Sequence, residues 1–448
     1  MARDLTQGSI AKLLLKLALP GVLSLLGITV NHFIDGIWVG KLGPKALAAI
    51  APAAFITWIV FSFVDIMPIA LVAVISRYFG EKRPERAAEV SQKALQFIFY
   101  ISLIATAIMA IFSKNAIQIA GVSEEVVKLG SSYLGVIAFM LPPLFLGEAL
   151  FSIFRAIGDT TTPMKLTLAA IAVNMVLDPL LIFGIGPFPE MGMAGAALAT
   201  VIGYYIALVW AFIDIRKGKL PFKVINLTPM RLDFPLLWRL VKIGIPMAIM
   251  GIIFSIVYLV LSRVAAPFGD FVVASFRVGQ LIESISFMVS FGMGQAAASM
   301  IGQNLGAGKP DRADKSALIA QGILSVFTLS VTFVLFFFAE SITRLFTSDT
   351  PTMIATVYYL KIIALSQVFS GLEIIHEGTF SGAGDTMPPM VVSIIGTGLR
   401  IPLALLFIGP LNLDYLGIYW ALTVTTVLKG TVITIWFRLG RWKTKKID

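Results

Sequence analysis

Apolar residues run along this chain in stretches too long for strands and too unbroken for the one-sided stripe of a water-facing helix. About 20 apolar residues in a helix cross a bilayer core. Cutting the runs at charged or Gly/Pro-rich breaks gives twelve such segments. They centre near 13–39, 46–76, 92–112, 131–155, 165–186, 192–214, 237–266, 271–300, 317–338, 353–381, 388–410 and 414–437. The breaks are short and polar, such as GEKRPER, GDTTTP, RKGK and GKPDRADK. Only the stretch around 214–242 is long enough to link two halves.

Those halves repeat one another at a fixed offset of 226 residues. Gly80, Pro84 and Arg86 fall on Gly306, Pro310 and Arg312, and Pro20 falls on Pro246. FRAIGDTTTPM, with Phe154, Gly158, Asp159, Thr160, Pro163 and Met164, falls on FSGAGDTMPPM, with Phe380, Gly384, Asp385, Thr386, Pro389 and Met390. Six spans per half put both halves in the membrane the same way up, as parallel repeats about an axis along the membrane normal. The fold expected is therefore an all-α membrane protein of twelve transmembrane helices in two six-helix bundles related by a pseudo-two-fold axis. The expected division is an N-lobe over 1–215, a cytoplasmic linker over 216–235 and a C-lobe over 236–448. Two like bundles are what alternating access requires, so a transporter is expected.

Composition agrees. Of 448 residues, 58% are hydrophobic and only 13% charged, with a mean hydropathy of +0.90. A soluble chain carries about 25% charged residues, so a soluble enzyme is excluded. The net charge of +10 would suggest nucleic acid in a soluble protein. Here alternate loops explain it: 25 Lys and Arg fall on one side of the twelve spans and 8 on the other. That bias places both termini in the cytoplasm and leaves no need for a nucleic-acid partner. There is no cysteine, hence no thiolate metal site, disulfide or cysteine nucleophile. The N-terminal run lacks a small-residue cleavage site, so a cleaved signal peptide is not expected.

Ionisable groups inside a span are costly and each needs a reason. The first half has Asp35 with His32, Asp65, Glu148 and Asp178; the second has Glu283, Glu373, His376, Glu377 and Arg400. Asp35 lies about 33 Å of helical rise beyond Leu13, and Asp178 about 18 Å beyond Leu166 on a span running the same way. The two carboxylates therefore sit at compatible depths. Asn174, four residues before Asp178, projects from the same face, and Pro179 frees the carbonyl of Met175. A carboxylate, an amide oxygen and a freed carbonyl suit Na⁺, and a carboxylate alone suits a proton. At the offset of 226 Asp35 falls on Leu261 and Asp178 on or near Ala404. Packing devices should recur in both copies and a single ion site need not, so the asymmetry favours an ion site in the first bundle. Asp65 and Glu283 could become interfacial with a small shift of a span edge. Glu373, His376 and Glu377 share one face and could pair with each other or with Arg400. They could form a second relay, a substrate-cation site or a satisfied structural network. No nucleophile–His pair, phosphate loop or metal constellation is present in the sequence pattern.

DGIWVGKLGPKALAAI, NMVLDPLLIFG followed by GMAGAALAT, and FRAIGDTTTPM resemble the multidrug and toxic compound extrusion (MATE) family, closest to its DinF-like prokaryotic branch. The resemblance covers the whole chain. It implies that Asp35 is the main ion-coupling residue, with Asp178, Asn174 and Thr200 completing the first-lobe cation site. In place of a tyrosine often found four residues before the first-helix Asp stands Asn31, which leaves H⁺ and Na⁺ both open. The expected function is multidrug efflux: a cell-membrane antiporter, without cofactor and acting as a monomer among membrane lipids, exchanging organic, often cationic compounds for H⁺ or Na⁺. The alternatives are a lipid-linked saccharide flippase of the wider superfamily, or a channel or receptor. A flippase would want a basic cleft, whereas the first-half spans carry acids.

Overall fold

The computed structural model describes residues 2–119, 122–223 and 232–447. Seventeen α-helices occur among them, and no strand. In the first half these are α1 (Ile10–Gly40), α2 (Pro44–Val64), α3 (Ile66–Gly80), α4 (Pro84–Gln118), α5 (Glu124–Ile137), α6 (Leu141–Ala156), α7 (Thr161–Phe183) and α8 (Gly192–Arg216). The second half has α9 (Phe234–Ala265), α10 (Asp270–Gly306), α11 (Pro310–Phe337), α12 (Ala339–Thr343), α13 (Thr350–Ala364) and α14 (Gln367–Ala383). It ends with α15 (Met387–Gly398), α16 (Arg400–Ile408) and α17 (Leu416–Arg438). Eleven helical stretches are long and apolar enough to cross a membrane. The α13–α14 pair, bent by 57°, makes a twelfth when taken as one span. Twelve spans in two sets of six are thus what the apolar runs specified. Outward-facing residues such as Ile111, Val326, Leu329 and Phe333 are exposed apolar groups, as lipid contact demands.

The repeat is visible in local geometry. α4 and α11 both begin with proline at the first helical turn, where a missing N–H costs nothing. The turn before each needs a left-handed residue: Gly308 in one copy (φ 67°) and Lys82 in the other (φ 58°). Asp159 starts α7 by accepting from the N–H groups of Thr161 (3.1 Å) and Thr162 (3.0 Å). These are donors a helix start leaves without an internal partner.

The chain packs as two compact units. One comprises Met1–Asp4 with Leu23–Gly244, and the other Leu5–Val22 with Ile245–Asp448. The start of α1 belongs to the second because its apolar face is used there. Leu5, Leu14 and Leu17 are buried with Met293, Met300, Leu324 and Ile375. The Leu5 backbone is held by Gln303 (2.9 Å) and Asn304 (3.2 Å). Residues 224–231 of the expected linker lie outside the described residues.

Candidate functional site

In the first unit α7 and α8 approach so closely that a Cβ on Gly195 would lie 2.4 Å from the carbonyl oxygen of Leu181. Glycine is required there, and the approach brings Asn174 and Asp178 of α7 against Thr200 of α8. Asn174 and Asp178 are buried, 3% and 1% exposed, whereas Asp35 of α1 is only partly buried. Asn31 Nδ2 donates to Asp35 Oδ2 at 3.1 Å, one helical turn away. The Asn174 amide can be placed in its surroundings in two ways. In one its nitrogen donates to Asp178 Oδ1 (3.3 Å) and Thr200 Oγ1 (3.2 Å). In the other it donates to Asp35 Oδ1 at 2.9 Å and its oxygen accepts from the Thr200 hydroxyl (3.2 Å) and N–H (3.1 Å). The second satisfies both ends of the amide, so Asn174 ties the site to α1 and α8 together.

Asp35 and Asp178, 143 positions apart in sequence, flank the Asn174 amide and lie within interaction distance of each other. Asp178 Oδ2 is buried and has no donor from any other side chain. Two carboxylates repel, so the contact becomes a hydrogen bond only with a proton between them. Tyr133 of α5 lies within electrostatic reach of both acids. The ligand atoms gathered here are all hard oxygens (carboxylate, amide and hydroxyl), a set that suits a proton or Na⁺. Among the described residues no group of three or more His, Cys, Asp or Glu could hold a transition metal. The expected constellation of Asp35, Asn174, Asp178 and Thr200 is therefore brought together in one place. Asn31, which sequence reasoning did not include, belongs to it; its i, i+4 spacing to Asp35 was the available signal.

Elsewhere in this unit Asp65 interrupts one apolar stretch between α2 and α3 and keeps its side chain exposed. It is within electrostatic reach of Glu148 and Arg155, which pair on α6 at 3.5 Å. His32 is exposed.

The second unit corrects the expected pairing of its polar groups. Glu373 binds not Arg400 but Lys429 of α17, at 2.7 Å, with both side chains nearly buried. The Lys429 stem passes over Gly396, where a Cβ would lie 2.2 Å from Lys429 Cγ. Arg400 donates instead to Thr425 and Thr426, each at 3.2 Å. His376 makes no polar contact through either ring nitrogen and stacks on Phe437, ring centroids 4.4 Å apart. Glu377 lies one turn beyond Glu373 on α14, within electrostatic reach of it and of Lys429. Glu283 sits inside α10, accepting from Tyr359 (3.0 Å) and Gln367 (3.3 Å). These partners come from other helices, so spacing along the chain could not reveal them.

A duplicated bundle with a carboxylate pair in one copy, one member of it buried, is the architecture of an integral membrane transporter and not of an enzyme. The chain belongs to the MatE family, whose profile matches residues 20–180 and again 246–406. A probable multidrug resistance protein NorM of Thermotoga maritima is 26% identical to it, over 98% of this chain and 94% of that one. A FAD transporter of Shewanella oneidensis is 29% identical over 95% and 94%. Among solved structures, the outward-facing conformation of a multidrug resistance MATE family transporter superposes with a TM-score of 0.90. That pair shares 22% identity and covers 99% and 98% of the two chains.

Proposed function

We propose that this protein is a cell-membrane antiporter that exports small organic, ring-bearing compounds from the cytoplasm by alternating access, using the first-unit site to couple export to inward cation flow. The observation that carries the reading is the meeting of Asp35 and Asp178. An acid pair with one member buried and one proton to share, flanked by the Asn31, Asn174 and Thr200 oxygens, can exchange a proton as the site opens to either side. We assign H⁺ as the coupling ion, with Na⁺ a competitor for the same oxygens. Asp35, the less buried acid, takes up and releases the proton, and Asp178 holds the other end of the hydrogen bond. The orientation with both termini cytoplasmic follows from the loop charge bias. Relatives are named for multidrug resistance and for FAD transport, and since FAD carries ring systems, ring-bearing organic compounds are the cargo class proposed here.

The test is dye extrusion from proteoliposomes of purified protein. A pH gradient should drive a dye such as rhodamine 6G against its concentration, and adding Na⁺ should slow it. Movement only down the dye's own gradient would indicate a channel. Transport of a lipid-linked saccharide without dye transport would indicate a flippase.

A further inference from the structure

The two matched segments stand 226 residues apart, which allows the first-unit site to be read across position by position. Tyr133 falls on Tyr359, Thr200 on Thr426, His32 on Tyr258 and Asn174 on Arg400, while Asp35 and Asp178 fall on Leu261 and Ala404. One hydrogen bond is kept. Asn174 lies 3.2 Å from the Thr200 hydroxyl, and Arg400 Nη2 donates to the Thr426 hydroxyl at 3.2 Å. The charge is reversed. Both acids are replaced by fully buried apolar side chains, and the amide is replaced by a guanidinium.

Arg400 is 4% exposed, and its Nη1 has no acceptor. Among the described residues it forms no ion pair. The acids near it are held by other groups: Glu373 by Lys429, and Glu283 by Tyr359 and Gln367. Its Cζ lies over the rings of Tyr258 (5.3 Å) and Phe254 (5.9 Å). An arginine stays charged wherever it is buried, and a buried charge without a partner is costly. A planar fork with one free arm beside aromatic faces matches a carboxylate or phosphate carried on a ring system.

We propose that Arg400 of the second unit is a recognition point for an anionic group, carboxylate or phosphate, on an aromatic cargo. The second copy of the site then selects an anion where the first takes a cation. This rests on the export reading, and it adds that the cargo range includes acids or zwitterions. The aromatic wall favours cargo over a lipid headgroup as the source of the oxyanion.

The test compares two xanthene dyes of opposite charge, fluorescein and rhodamine 6G, binding to purified full-length protein in neutral phosphatidylcholine. Arg400→Gln should shift the preference at least tenfold toward rhodamine 6G, and Arg400→Lys should restore part of it. Adding Glu283→Gln should not rescue fluorescein binding. An unchanged dye preference would overturn the proposal. So would rescue by Glu283→Gln, which would make Arg400 a distant counter-ion for that acid. A third overturning result is phosphatidylglycerol stabilising wild type but not Arg400→Gln while fluorescein fails to bind, which would assign the oxyanion to lipid. Gradient-driven export of rhodamine 6G is measured in parallel: its failure counts against the export reading, whereas the fluorescein arm reports on Arg400 alone.

Discussion

Asp35→Asn separates coupling from architecture. An asparagine nitrogen can donate to Asp178 where the proposed shared proton would sit, and its oxygen can still accept from Asn31. A typical internal hydrogen bond contributes about 0.5–1.5 kcal/mol net, so the change in stability should stay within about 1 kcal/mol. What is lost is the ability to take and release a proton. One pH unit is worth about 1.4 kcal/mol per proton. If one proton enters per dye exported, a gradient of two units supplies about 2.7 kcal/mol, which sustains roughly a 100-fold dye concentration ratio. Wild type in proteoliposomes should approach that ratio, and Asp35→Asn should stay near unity while binding the dye within about threefold of wild type. Asp178→Ala should behave differently. It deprives Asn174 and Asp35 of a partner in a buried place and should cost about 1–3 kcal/mol of stability as well as activity. If Asp35→Asn concentrates dye as wild type does, in folded protein, the coupling site lies elsewhere and the assignment of Asp35 fails.

Other tests reach different parts of the molecule. With no native cysteine, Lys41→Cys should react with an impermeant maleimide on intact cells and Lys82→Cys should not; the reverse result would invert the proposed orientation. Glu373→Gln leaves the Lys429 ammonium buried without its partner, so thermal unfolding in detergent should show a loss of about 3–5 kcal/mol. Lys429→Met combined with Glu373→Gln should recover most of that loss, and no recovery would mean the pair is not what holds these helices. Gly195→Ala must push α7 from α8, because its Cβ would stand 2.4 Å from the Leu181 carbonyl oxygen. A cost of about 1–3 kcal/mol with a lowered dye ratio is expected, and wild-type behaviour would show that the approach does not set the site. Outside the membrane, Asp349 caps α13, and the Thr352 hydroxyl and N–H hold its carboxyl below the usual range. Its stabilising effect should be full above the ordinary aspartate range and vanish as pH falls through the lowered value. The difference in Tm between wild type and Asp349→Ala should therefore close on acidification, and a gap that persists at low pH would exclude the cap.

Much of this architecture is written in one dimension. Span length follows from bilayer thickness, and repeat symmetry follows from an ungapped offset, so twelve spans in two sets could be read without coordinates. The Asp35–Asp178 meeting was legible for the same reason, since depth along a helix is a count of residues. Asn174 and Thr200 extend it by helical spacing or by family resemblance, whereas the place of Asn31 beside Asp35 went unread. What escaped was lateral. Lys429 finds Glu373 of α14 because its stem runs over Gly396 of α15, and Gly195 sets the α7–α8 approach. Neither relation leaves a period in the sequence. The same blindness hid the sense of the second copy. Counted along the chain, Glu283, Glu373 and Glu377 look like an acidic cluster waiting for a cation. Once Tyr359, Gln367 and Lys429 are seen to engage Glu283 and Glu373, Arg400 stands out as a buried cation held only by the Thr425 and Thr426 hydroxyls with one arm lacking an acceptor, so that unit offers a cation beside its acids. A repeat is therefore most informative where the fold is kept and the chemistry differs, because shared packing is then accounted for and the substitutions that remain point to what each copy binds.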